Sequence, residues 1–236
     1  MEIVAHHRSP RPADRGAVTA ALRAQLASGA DRIELDVLAY EGATIVAHDA
    51  RGVRGAPTLP MEEALALIAS VAGVQLLADL KHPAAAPDLG GLLVASGLRA
   101  RTMVCGELDA VLEACHLGGA SAAWTVPARR GGGPPAGPGP WGLATPRARG
   151  RLRRAAAWAV REGGCAALSV AHPFVDRALL EAVHAAGGRV FAWTVDDPGE
   201  QARLARLGVD GLITNEPAAA LAVRASLPGH RPTAGA

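Results

Sequence analysis

Short apolar runs alternate with longer stretches of helical spacing from one end of the chain to the other. Residues 3–6 form the first extended run, and Val18, Leu22 and Leu26 then recur at helical spacing up to a stop at Gly29. Residues 32–38 predict the next strand, and residues 44–47 a short one after the Glu41-Gly42 turn. A helix is predicted over 60–68, opened by Pro60. Strand predictions continue at 74–80, 102–105, 122–126, 166–170, 190–195 and 211–214. Helix predictions fall between them at 89–96, 107–115, 148–161, 176–185 and 198–207, with a last one at 217–225. Asp176 is placed to cap its helix, and Gly97, Gly163-Gly164 and Gly187-Gly188 to end theirs.

This gives eight strand-helix pairs with one extra short strand after the second. Strict alternation implies a parallel sheet, and eight units predict a closed α/β structure, the (β/α)8 TIM barrel. An open doubly wound sheet would want a Gly-rich loop after its first strand, and the sequence has none there. The prediction is a single-domain barrel over 1–226 with a disordered tail at 227–236. Residues 127–146 are dense in Gly and Pro and hold Arg129, Arg130 and Trp141. They follow the fifth barrel strand, so they should form a loop on the catalytic face, read first as a mobile insertion and second as a lid.

Composition narrows the classes. Half of the 236 residues are apolar but aromatics are scarce, so the core must be aliphatic. A net charge of +2 gives no sign of a nucleic-acid or membrane surface. Cys105, Cys115 and Cys165 are odd in number and form no C-x-x-C, which predicts reduced thiols and a cytoplasmic protein. No secretory leader and no membrane-length apolar stretch is apparent.

Barrel chemistry sits at the C-terminal ends of strands. His6, His7 and Arg8 end the first strand, Glu34 and Asp36 lie near the end of the second, and His48-Asp49 end the short extra strand. Asp79 and Lys81 end the next, Trp193 the seventh barrel strand, and Thr214, Asn215 and Glu216 the eighth. Period-two alternation puts Glu34 and Asp36 on one side and Ile33, Leu35 and Val37 on the other, against the helices. Two inward carboxylates call for a positive partner, and a hard divalent cation suits oxygen ligands. Asp79 can complete that set, while Arg8 and Lys81 add charge suited to a phosphate oxyanion. Imidazoles suit proton transfer to and from ester oxygens. Singly, each piece has a plain structural reading: a salt-bridged strand end, a turn capped by Asp49, a Lys81–Asp79 pair. Their joint placement at successive strand ends is what favours a site.

With these residues in place, the chain resembles the glycerophosphodiester phosphodiesterase family. The motifs run in family order: His7-Arg8-Ser9, Glu34-Leu35-Asp36, His48-Asp49, Asp79-Leu80-Lys81, Trp193-Thr194-Val195-Asp196 and the run from Gly208 to Asn215. The resemblance implies that His7 and His48 are the general acid and base. It implies that Arg8 and Lys81 hold the phosphate, that Glu34, Asp36 and Asp79 bind Mg2+ or Ca2+, and that Trp193 packs on the substrate alcohol. The reaction so implied, in lipid and glycerol metabolism, cleaves a small-molecule glycerophosphodiester to glycerol 3-phosphate and an alcohol, by way of attack from the substrate's own hydroxyl. The runner-up is an altered barrel that binds a phosphorylated ligand without turnover, and a third reading is a lyase or isomerase of a phosphorylated sugar.

The chain also departs from the pattern. Ser9 replaces a glycine, the P-E-N-T segment is missing near Pro12, and Asp79 stands for a glutamate, a ligand shorter by roughly 1.5 Å. Asp196 and Asn215 stand where Asn and Asp are usual, and the stretch after His48 is too short for a small inserted domain. His7 precedes Arg8 as the motif requires, yet His6 follows Ala5 as an Ala-His pair often found there. Adjacent strand residues face opposite ways, so one of the two enters the site, and the reading favours His7. His172 is read as a loop histidine before Pro173, and His82, His116, His184 and His230 as surface residues.

Overall fold

Every strand of the parallel ring but the first begins where a helix has been stopped and turned back, and the stops are mostly glycines. Gly29, Gly97, Gly119, Gly164, Gly187 and Gly208 all have positive φ and follow helices or their last turns, conformations that cost a side chain about 1 kcal/mol or more. The structure is a computed structural model that describes residues 1–7, 13–53, 57–126 and 146–227. Arg8, the 127–145 segment and 228–236 lie outside the described residues, and with them the expectations for the phosphate arginine, the Gly/Pro loop and nearly all of the tail.

The order opens with β1 (Glu2–Ala5), α1 (Arg15–Leu26), β2 (Arg32–Tyr40), β3 (Ala43–Val46), α2 (Ala50–Val53) and α3 (Met61–Ala69). It continues with β4 (Gln75–Leu80), α4 (Ala86–Ala95), β5 (Thr102–Gly106), α5 (Leu108–Gly118), β6 (Ser121–Thr125) and α6 (Pro146–Arg161). It ends with β7 (Ala167–Ala171), α7 (Arg177–Ala185), β8 (Arg189–Trp193), α8 (Pro198–Leu207), β9 (Gly211–Thr214) and α9 (Pro217–Ser226). Among the described residues eight strands pair in parallel, in the order β1-β9-β8-β7-β6-β5-β4-β2, and β1 pairs again with β2 to close the barrel. The ninth, β3, runs antiparallel beside β2 and hangs outside the ring.

The predicted (β/α)8 barrel is therefore the fold, and every predicted helix and strand has an observed counterpart with ends shifted by a few residues. The one-turn helix α2 was not predicted. Four residues are too few for a periodicity, and Asp49 creates it locally by accepting the N–H groups of Arg51 and Gly52 at 3.0 Å each. Asp14, Asp176 and Asp197 cap α1, α7 and α8 in the same manner.

The barrel interior is layered. At the foot, buried Arg32 donates to Glu2 at 3.1 Å and to the Leu76 carbonyl at 2.8 Å, and Arg189 donates to Glu2 at 2.8 Å. Both guanidinium groups lie over the Phe191 ring, 6.0 and 5.4 Å from its centre. Above them Val4, Leu77, Met103, Ala123, Phe191 and Ile213 fill the middle with apolar volume. Ile33, Leu35 and Val37 face outward to the helices as alternation requires. The polar layer is left at the top, at the C-terminal strand ends.

Candidate active site and metal centre

Parallel register builds the acidic cluster. Asp36 on β2 lies directly beside Asp79 on β4, and Glu34 sits one inward step below on β2. One carboxylate oxygen from each of the three lies within 4.8 Å of the others. Lys81, the next inward residue of its strand end, turns back on the cluster: its Nζ is 2.8 Å from Asp36 Oδ1 and 2.5 Å from Asp79 Oδ2. Burial alone would strip the Lys81 ammonium of its proton more readily, but Asp79, Asp36 and Glu34 outweigh it and hold its pKa well above the ordinary value. Glu34 is pushed the other way from a normal carboxylate. Burial, and then the neighbouring Asp36 charge, raise its pKa well above the usual range.

The two adjacent histidines take different places. Val4 points into the barrel while Ile3 and Ala5 point to the helices, so His6 comes inward on the same alternation. Its backbone N–H still follows the sheet, donating to the Thr214 carbonyl at 2.9 Å. The His6 ring is part-exposed, with Nε2 3.9 Å from Glu34 Oε2 and Nδ1 2.9 Å from Asn215 Oδ1. His7 is buried, and its backbone N–H donates to Glu34 Oε2 at 2.8 Å. Burial lowers the pKa of the His7 ring; Asp36 opposes this and His6 adds to it.

His48 stands half-exposed past the end of β3, with Nδ1 3.6 Å from Asp49 Oδ2. The preceding residue lies against β2: the Ala47 N–H donates to the Asp36 carbonyl at 3.2 Å. Trp193 ends β8 on the inward side, above Phe191, and packs against the interior layer. Its indole Nε1 is buried and has no hydrogen-bond partner among the described residues. Glu34, Asp36, Asp79 and Lys81 are thus brought together in one cluster with His6 and His7 beside it.

Two groups emerge that sequence reading did not connect. Cys105 on β5 lies beside Asp79, and burial, then the Asp79 and Glu34 charges, raise its pKa well above the usual value, so it remains a thiol. Asp196 accepts from the backbone and amide of Asn215 and from the Thr214 hydroxyl. Both residues were visible at strand ends, but only the neighbouring position of β8 and β9 shows that they meet. His172 donates from Nδ1 to Glu200 at 3.0 Å, and His184 from Nε2 to Asp210 at 2.8 Å, so both have structural partners.

The chain is similar to known proteins in part of its sequence and in its fold. Residues 143–219, about a third of the chain, match the model of the glycerophosphoryl diester phosphodiesterase family. A stretch of 58 residues is 38% identical to a glycerophosphodiester phosphodiesterase of Arabidopsis thaliana; it makes up 25% of this chain and only 18% of that protein. A phosphodiesterase of Oleispira antarctica, solved in complex with the product sn-glycerol-3-phosphate, superposes with a TM-score of 0.67 at 19% identity, over 96% of this chain and 97% of that one. A glycerophosphodiester phosphodiesterase of Parabacteroides distasonis superposes with a TM-score of 0.65 at 18% identity, over 94% and 95% of the two chains. The structural likeness shows the shared barrel. The sequence matches bear out the resemblance read from the motifs.

Proposed function

We infer that the chain is a member of the glycerophosphoryl diester phosphodiesterase family and hydrolyses a glycerophosphodiester to sn-glycerol 3-phosphate and an alcohol. The observation that carries this reading is the cluster of Glu34, Asp36 and Asp79 at the barrel mouth, beside an inward histidine. A fold alone would not choose a reaction. The ordered motifs and the match over 143–219 support this one.

The donor set fits a hard divalent cation. It is all oxygen, it carries more acid than Lys81 can neutralise, and it includes Glu34, whose ionisation burial opposes. Glu34, Asp36 and Asp79 would hold Mg2+ or Ca2+. When bound, such an ion would lower the pKa of the attacking hydroxyl and offset charge on the phosphoryl oxygens. Lys81, fixed by Asp36 and Asp79, and Arg8 would face the phosphate as cations. The imidazole pair would consist of His48 at the rim and a ring from His6-His7, passing protons to and from the ester oxygens. The buried Trp193 Nε1–H offers a donor beside an apolar face for the glycerol or alcohol part. No helix of the described residues is long and apolar enough to cross a membrane. Three free cysteines support a reducing compartment such as the cytoplasm.

One observation favours the binding-only alternative: Lys81 already bridges two of the three carboxylates, as a built-in counter-ion would. A turnover assay separates the readings. Purified protein is expected to release sn-glycerol 3-phosphate from glycerophosphocholine in Mg2+, Ca2+ or Mn2+, and to stop in EDTA. His48→Ala is expected to lower kcat by about 100-fold or more while leaving the circular dichroism spectrum unchanged. No turnover of this substrate or of a generic aryl phosphodiester in any of the three ions would leave the binding reading standing.

A further inference from the structure

Where β8 and β9 end, a run of polar contacts leads to His6, and the direction of each hydrogen bond in it can be derived. Asp196 Oδ2 accepts from Asn215 Nδ2 at 2.7 Å, while Asp196 Oδ1 accepts the Asn215 backbone N–H at 2.8 Å and the Thr214 hydroxyl at 3.1 Å. Behind them Gln201, fully buried on α8, donates to the Val195 carbonyl at 2.9 Å and to Thr214 Oγ1 at 3.3 Å. Burial raises the pKa of Asp196, but the donors from Asn215 and Thr214 outweigh it and hold the carboxyl below its usual value. An ionised carboxylate only accepts, so Asn215 must turn its amino group to Asp196 and its carbonyl oxygen to His6. A carbonyl oxygen also only accepts. The proton on neutral His6 therefore sits on Nδ1, 2.9 Å from Asn215 Oδ1. The Nε2 lone pair is left on the side of Glu34, within the acidic cluster.

We propose that His6 is the imidazole of the adjacent pair that takes the proton of the attacking hydroxyl, and that Asn215, pinned by Asp196, is the positioning residue that keeps the proton off its Nε2. In that exchange the O–H bond of the attacking hydroxyl breaks, an Nε2–H bond forms, and the positive charge rests on an imidazolium whose Nδ1–H stays on Asn215. His7 is buried to 1% exposure, and its backbone, bonded to Glu34, helps fix the carboxylate. Asp196 and Asn215, the two departures from the resemblance at these strand ends, are hydrogen-bonded to each other.

The proton-transfer role rests on the diesterase reading, whereas the tautomer does not, so the test has two arms. In the first, imidazole 15N shifts are read on the full chain, and wild-type His6 is expected in the Nδ1–H form. Asn215→Leu should convert it to a mixture, and the double variant Asp196→Asn with Asn215→Asp, which exchanges donor and acceptor only in the bond between the two side chains and still offers His6 an acceptor, should restore it. In the second, Asn215→Leu should lower kcat about 10- to 100-fold with KM within about threefold. The double variant should recover to within about fivefold of wild type, and His6→Gln should fall below His7→Asn. A His6 spectrum unaltered by Asn215→Leu overturns the positioning role, and His6→Gln at wild-type kcat overturns the proton-transfer role. Should Asn215→Leu not fold, Asp196→Asn alone should also displace the His6 proton from Nδ1, because its amide oxygen is held by the Asn215 N–H and the Thr214 hydroxyl and its amino group then turns the Asn215 carbonyl away from His6. A wild-type protein that cleaves no diester sinks the enzyme reading and the proton transfer together, and the shifts still decide the tautomer.

Discussion

Glu34 is held in a place that an isolated carboxylate avoids. Its oxygen accepts the His7 backbone N–H at 2.8 Å, but burial and the Asp36 charge raise its pKa well above the ordinary value. A carboxyl whose pKa is higher folded than unfolded binds more protons when folded. Its contribution is thus fully favourable below the unfolded value of about 4.3, and metal-free stability falls as pH climbs from there toward the folded pKa. Glu34→Gln removes that loss. In EDTA at pH 8 it is expected to melt above wild type, by about 3–6 °C for a gain of roughly 1–2 kcal/mol. Under the proposed metal reading Mg2+ should raise the Tm of wild type, and the variant is expected to lose that rise. A variant that melts with wild type in EDTA and still responds to Mg2+ would show that Glu34 is neither strained nor a ligand. The inward carboxylates were legible in the sequence, because period two fixes the side on which a residue lies. The Lys81 bridge to Asp36 was not, because it depends on the register that sets Asp36 beside Asp79 on another strand. The choice between His6 and His7 was open for a related reason. Alternation allows one inward ring, and the strand's last bond, His6 N–H to Thr214, selects which.

At the scale of elements, the Gly208-Val209-Asp210-Gly211 run explains itself as architecture. Gly208 ends α8 with φ of 100°. Asp210 accepts the Val190 N–H at 2.7 Å and so sets the start of β8 against β9. Gly211 leaves room for a ring: a Cβ there would lie 2.2 Å from Phe191 Cδ1. Gly211→Ala is expected to destabilise the barrel by about 1–3 kcal/mol in urea unfolding, and less so in a Phe191→Leu background, where the ring is gone. Equal losses in both backgrounds would mean that the ring is not what Gly211 accommodates. Helices and strands were legible because glycines punctuate them and long runs carry a period. The turn at α2 and the charged foot of Arg32, Glu2 and Arg189 were not, since one is shorter than a period and the other joins residues 30 and 187 positions apart.

The whole molecule was legible as a class of fold because eight units of one kind have few ways to close. The closure itself joins the first and last strands: β1 is clasped by β9 on one side and β2 on the other. Arg224 of α9 reaches both the Met1 carbonyl and Asp31 at the same foot. The described elements thus form a ring of repeating units, and the junction between the first and last of them, β1 and α9, lies at the end opposite the acidic cluster. The position of that junction is a matter of bookkeeping rather than mechanics. Joining residue 236 to Met1 through a flexible linker and starting the chain anew at the exposed Gly73 turn, also at the foot, should give a protein with the same circular dichroism and the same melting response to Mg2+. Loss of that response in a folded permutant would mean that the order of synthesis, and not only the closed ring, shapes the mouth of the barrel.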